Sequence, residues 1–214
     1  MKVVAINGSP KSNGNTAQMI DIITDELNQE GIETEVLHVG NKMIRGCFGC
    51  GACYKNQDER CIAKEDDFFV NECIQKMKEA EGLILASPVH WAGIAGTMKS
   101  FLDRVFYVSS ANGNLFRHKV GASVVAVRRS GGVTTFDQLN HYLAYAEMFM
   151  PTTNYWNVGH GRIPGEVHED AEGVQIARVL GKNMALTLKM VQNAKEHHLV
   201  FPEKEAKIMT NFVR

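Results

Sequence analysis

Apolar positions along the chain follow two rhythms that alternate. Lys2–Asn7, Gly82–Ala86 and Lys119–Val127 are short, near-continuous apolar runs, the pattern of strands buried on both faces. Glu33–Val39 and Tyr155–Val158 read as two further strands. Between these lie stretches with helical spacing. In Gly14–Gln29, Met19, Ile20, Ile23 and Leu27 share one side, while Asp21, Asp25 and Glu26 share the other. In Gly96–Val108, Met98, Phe101, Leu102, Val105 and Phe106 form one face. Asp66–Ala80, Thr134–Met148 and Ala171–Glu196 complete the predicted helices. Strands alternating with helices predict an α/β protein: a doubly wound five-stranded parallel sheet in a three-layer α/β/α arrangement. Such sheets bind ligands at the carboxyl ends of their strands, near the point where strand order reverses.

Composition narrows the class. The chain has 214 residues, 44% hydrophobic and 22% charged, with a formal net charge of −1. That is enough for one core and offers no basic excess for nucleic acid. No apolar run approaches the roughly 18 residues of a membrane span. The apolar part of "MKVVAINGSP" is too short for a signal peptide and leads into a strand pattern, so a cytoplasmic protein is expected. The predicted organisation is one domain over residues 1–198, a cysteine-rich insertion at 43–64, and a tail at 199–214 that packs on the domain or on a partner subunit.

Three loops at the expected ligand-binding edge carry the candidate chemistry. "NGSPKSNGNT", residues 7–16, joins the first strand to the first helix and crowds hydroxyl, amide and lysine donors at a helix start. That combination suits an anion, and equally a helix start capped by Asn13 or Asn15. Neither G-x-G-x-x-G nor the Walker A pattern is present. "ASPVHWAGIAGTMKSFLDR", residues 86–104, follows the third strand. Ser87-Pro88 is expected to end that strand, leaving His90 and Trp91 in an irregular segment on which a flat ring could rest. "RRSGGVTT", residues 128–135, leaves the fourth strand with two glycines that permit close backbone approach. Arg128 and Arg129 could meet a nicotinamide 2′-phosphate, or be an ordinary surface pair. Nothing resembles a Ser/His/Asp set or a carboxylate pair, so no catalytic side chain is expected.

"GCFGCGACYKNQDERC", residues 46–61, holds four of the five cysteines, with Cys47, Cys50 and Cys53 at three-residue steps and Cys61 eight residues further on. Structural zinc sites space their cysteine pairs more widely. Successive three-residue steps instead match the bacterial ferredoxin run that wraps an iron–sulfur cube. Gly46, Gly49 and Gly51 let the loop fold tightly. Zinc, a redox-active thiol pair, or no metal at all remain compatible with these residues. Cys73 lies on a predicted helix and reads as core.

The three loops, in this order, resemble those of the flavodoxin-like NADPH-dependent FMN reductase group over most of the chain. The resemblance implies an FMN-dependent oxidoreductase. Ser9, Lys11, Asn13, Asn15 and Thr16 would hold the FMN phosphate. Pro88, Val89, His90, Trp91 and Gly93 would face the isoalloxazine ring, and Ser130, Gly131 and Gly132 would close over it. His90 stands where the group's pattern has tyrosine. The compact cysteine run resembles the iron–sulfur flavoprotein branch, which implies a [4Fe–4S] cluster on Cys47, Cys50, Cys53 and Cys61. Implied too are NAD(P)H or ferredoxin as donor, small-molecule or protein redox partners, and a homodimer or homotetramer. Two other readings compete: a flavodoxin-like electron carrier without a nicotinamide site, and a cysteine-based metal or redox sensor.

Overall fold

A computed structural model of the chain describes residues 1–64, 67–210 and 212, without the side chains of 67 and 68. Its strands are β1 (Lys2–Asn7), β2 (Glu33–His38), β3 (Gly82–His90), β4 (Gly93–Ile94), β5 (Val120–Val127) and β6 (Val158–His160). Its helices are α1 (Asn15–Gln29), α2 (Ala52–Asn56), α3 (Asp67–Glu79), α4 (Gly96–Ala111), α5 (Gly132–Tyr145) and α6 (Ala171–Glu196), with a 3-10 turn at Glu166–Glu169. Asp66, the expected start of α3, lies outside the described residues.

The sheet runs β2-β1-β3-β5-β6, all parallel, with β4 turned back antiparallel on β3. Side chains alternate across each strand, so one strand feeds two cores. Val3, Ala5, Ile84 and Ala86 pack with Met19, Ile20, Ile23 and Leu27 of α1 and with Leu180 and Met184 of α6. Val4, Ile6, Leu83 and Leu85 pack on the opposite face with Ile74 and Met77 of α3, Phe101 and Leu102 of α4, and Leu139 and Leu143 of α5. The order reverses between β1 and β3, which opens a crevice at their carboxyl ends.

Several boundaries differ from the sequence reading. Ser87-Pro88 does not end β3, which continues to His90 and doubles back as a hairpin through Gly93. β1 stops at Asn7 opposite Ala86, so beyond that point β3 has a parallel neighbour only in β5. A proline is tolerated there, as on an edge strand. The last strand lies at Val158–His160 because Tyr155 and Trp156 are exposed. α5 begins two residues early, at Gly132, and ends at Tyr145. The cysteine stretch is not wholly irregular, since Ala52–Asn56 forms a short helix.

The tail runs back over its own domain. Arg117 donates to the carbonyl oxygens of Pro202 and Glu203 at 2.8 and 3.3 Å, and Lys207 donates to Tyr145 Oη at 3.0 Å.

Candidate functional site

The first loop is shaped by its own side chains. Asn7 Oδ1 accepts from Ser9 N at 3.0 Å, and Ser9 Oγ accepts from Lys11 N at 3.1 Å. Gly8 N donates to the Ala86 carbonyl at 2.8 Å, which ties this loop to β3. Neither Asn13 nor Asn15 caps α1: the cap is Gly14, with no side-chain hydrogen bond and no acidic residue in the first turn. The positive end of a 15-residue helix is therefore left without a side-chain acceptor, the arrangement that receives an anion. Ser9, Asn15 and Thr16 are buried at this point, while Lys11 and Asn13 are exposed. Asn15 Oδ1 is engaged elsewhere, accepting from Gly165 N at 3.2 Å and Val167 N at 3.4 Å. Gln18 Oε1 accepts from Gly165 N as well, at 3.1 Å. The Gly/Pro-rich 159–170 segment is thus clamped onto the start of α1, and donation from Asn15 to an anion falls to its amide NH2. Asp170 holds the other end of that segment. It accepts from Gly173 N at 3.0 Å and His160 N at 2.7 Å, with the His160 ring at 3.1 Å.

The second loop is the β3–β4 hairpin. Ser87 Oγ closes it, accepting from Ala95 N at 3.1 Å and donating to the Pro88 carbonyl at 2.8 Å. Trp91 sits at the tip with φ of 63° and is 99% exposed, so it is not a core residue. His90 is exposed beside it, and Pro88, Val89 and Gly93 are half-buried. Gln138 of α5 braces the hairpin, its Oε1 accepting from Ile94 N at 3.4 Å. Gly131 caps α5, and a β-carbon there would lie 3.1 Å from Val89 Cγ1, so the second and third loops touch. Ser130, Gly131 and Gly132 line a cavity of about 310 Å³ with Arg129, Trp156, His160 and Asp170. Arg128 is exposed next to it.

The cysteine segment lies along α4. Gly46 approaches Ser100, Tyr54 packs edge-on against Tyr107 with ring centroids 5.3 Å apart, and Glu59 N donates to Asn112 Oδ1 at 3.0 Å. Positive φ angles of 66° and 71° at Gly49 and Gly51 let the chain coil between its cysteines. Cys47, Cys50, Cys53 and Cys61 all line one small cavity, closed by Arg104, Tyr107 and Val108 of α4. Cys47 and Cys50 are exposed, Cys61 is half-buried and Cys53 is buried. Burial pushes the Cys53 thiol up from its ordinary value. Among the described residues, however, no three His, Cys, Asp or Glu side chains are gathered closely enough to hold a metal ion as they stand. Cys73 belongs to the core under α3, and burial pushes its thiol up to about 12.

α4 joins the two regions. It starts at Gly96, two residues past the hairpin. At 1.5 Å of rise per residue, Ser100 lies about 6 Å along the axis and Arg104 about 12 Å. Sequence reasoning quoted Arg104 within the second loop motif but gave it no part. It missed Gln18 and Gln138 altogether, and also His38 and Gly40, which meet the Ser9 backbone, since each acts through a partner distant in the chain.

Strand order, layering and loops at one sheet edge define a flavodoxin-like protein. A crystal structure of RosB superimposes with a TM-score of 0.71 at 17% identity, covering 100% of this chain and 94% of its own. Residues 1–162 match the NADPH-dependent FMN reductase family, and the chain belongs to that family. It is an FMN-dependent oxidoreductase. It is similar to an iron–sulfur flavoprotein of Methanocaldococcus jannaschii, 35% identical over 199 residues that cover 90% of this chain and 100% of the relative. Another iron–sulfur flavoprotein, from Archaeoglobus fulgidus, is 32% identical over 185 residues, covering 86% and 79%. Among the described residues no helix is long and apolar enough to cross a membrane.

Proposed function

We propose that the chain is an iron–sulfur flavoprotein that passes electrons between a reduced donor and a small or protein acceptor. In this reading FMN lies in the crevice between β1 and β3. Ser9, Lys11, Asn13, Asn15 and Thr16 hold its phosphate. Pro88, Val89, His90, Trp91 and Gly93 lie along its ring, and Ser130, Gly131 and Gly132 close the far side. Cys47, Cys50, Cys53 and Cys61 hold a [4Fe–4S] cluster. Bound FMN supplies two-electron redox chemistry, and the cluster a one-electron outlet.

The protein's own part is positioning. The uncapped end of α1 favours the doubly charged phosphate over water. The Ser87-closed hairpin fixes backbone against the ring, and Gln138 keeps the hairpin from swinging. His90, in place of the tyrosine expected from the resemblance, can hold a proton beside the ring as well as stack on it. The observation that carries the proposal is the cavity shared by four cysteines against α4, the helix that begins at the hairpin. NAD(P)H is the proposed small donor, with Arg129 of the third-loop cavity available to its phosphate, and a reduced ferredoxin is the proposed protein donor. Val200, Ile208, Met209 and Phe212 in the tail are exposed apolar side chains that a partner subunit would cover, which favours a homodimer or homotetramer. A cytoplasmic location is proposed with it.

A second reading is favoured by the absence, among the described residues, of three gathered ligands: a plain FMN reductase with a cysteine-rich loop. Extracting the flavin and mixing the protein with NADPH in a stopped-flow instrument tests the flavin half. FMN that bleaches on mixing is expected. FAD, or no flavin, contradicts it, and FMN that ignores NADPH points to a ferredoxin-linked carrier.

A further inference from the structure

Arg104 heads the large, fully buried side chains of the protein, at 1% exposure. Its Nε donates to Cys61 Sγ at 3.3 Å and its Nη2 to the Ala63 carbonyl at 3.3 Å. Its Nη1, also buried, has no hydrogen-bond partner among the described residues. Neither partner is a carboxylate. The adjacent carboxylate, Asp103, is committed to Lys99 at 2.6 Å and to Tyr142 Oη at 2.5 Å. Among the described residues no carboxylate lies within ion-pair distance of Arg104. A guanidinium keeps its proton at any physiological pH, and burying one without a counter-charge is strongly unfavourable. The fold keeps it buried all the same, in the wall of the cavity that the four cysteines line.

We infer that Arg104 is the hydrogen-bond donor and counter-charge of the cysteine centre, an inference that rests on the reading that these cysteines hold an iron–sulfur cluster. Four thiolates around such a cluster leave it net negative, the counter-charge that Arg104 lacks among the described residues. Nε–H addresses the Cys61 sulfur, and the spare Nη1–H belongs to a side chain that lines the same cavity as Cys47, Cys50 and Cys53. Arg104 is a positioning residue here, not a ligand. Each electron accepted makes the centre more negative, so a fixed positive charge and an N–H···S bond both favour the reduced form. Net charge and hydrogen bonds to sulfur are among the quantities that set the potential of such clusters. The competing role is a strut that pins residues 61–63 against α4. A strut affects stability but not potential.

The test uses anaerobically reconstituted holoprotein: wild type, Arg104→Gln and Arg104→Lys. Iron, acid-labile sulfide and FMN are counted in each. The midpoint potential is then read by redox titration of the low-temperature paramagnetic signal. In R104Q, reduction is expected to be at least tenfold less favourable, which is 59 mV for one electron. R104K keeps the charge, loses the Nε donor, and is expected to shift in the same direction by less. Should R104Q not fold, R104K alone decides, with a downward shift expected. Full iron occupancy with an unchanged potential overturns the inference and leaves a strut. Wild-type protein that takes up no iron overturns the cluster reading itself, a result distinct from the first.

Discussion

A β-carbon on Gly40 would lie 2.1 Å from the carbonyl oxygen of Ser9. The end of β2 is therefore pressed directly onto the first loop, at the residue whose hydroxyl orders Lys11. His38 reinforces the contact, its Nε2 2.7 Å from the same oxygen. The obstructing atoms are backbone and cannot rotate away. Gly40→Ala should displace the loop, costing about 1–3 kcal/mol of stability as overpacking does. It should also weaken FMN by more than tenfold. Thermal unfolding and fluorescence titration with FMN check both, and a variant that binds FMN like wild type shows that the loop can move without loss.

Thr16 is 2% exposed in the first turn of α1, where the phosphate reading needs a donor. A hydrogen bond to a charged acceptor contributes about 1.5–3 kcal/mol. Thr16→Ala should therefore weaken FMN about tenfold or more, with little change in the unfolding midpoint of the apoprotein. Unchanged FMN affinity would mean that the phosphate lies elsewhere.

Asp170 ties β6 to α6 and anchors the segment clamped by Asn15. Burial raises its pKa, but the Gly173 and His160 N–H groups and the His160 ring outweigh this, leaving it below its ordinary value. A carboxylate lowered in the folded state contributes stability that is full above the unfolded value and lost as pH falls through the lower, folded one. Asp170→Ala should thus cost about 1–2 kcal/mol at pH 7, the usual size for a lost helix cap. The gap from wild type should start to close below about pH 4. A gap that persists unchanged down to pH 2 in urea titrations contradicts an ionic cap.

The sheet was legible because buried parallel strands are apolar runs: Val3–Ile6 and Leu83–Ala86 are uninterrupted, and Val120–Val127 is broken only by Gly121 and Ser123. The hairpin after β3 was not, because Pro88 punctuates a chain locally while its tolerance depends on where β1 stops. Trp156 and Tyr155 drew the last strand too early, since their bulk suggests burial that the fold does not give them. The loops were legible as donor-rich turns. The ties that shape them join residues far apart in sequence, Asn15 to Gly165 and Arg104 to Cys61 among them, and no local pattern encodes those meetings.

The central claim is that one chain carries both a flavin and an iron–sulfur centre. Anaerobic reconstitution with iron and sulfide tests it most directly, read by iron and sulfide content and the low-temperature paramagnetic signal after reduction. Wild type should take up about four iron and four sulfide per chain beside one FMN. Cys50→Ala should lose the signal and keep the flavin. Wild-type protein that takes up no iron, or Cys50→Ala protein that binds it equally well, contradicts the account.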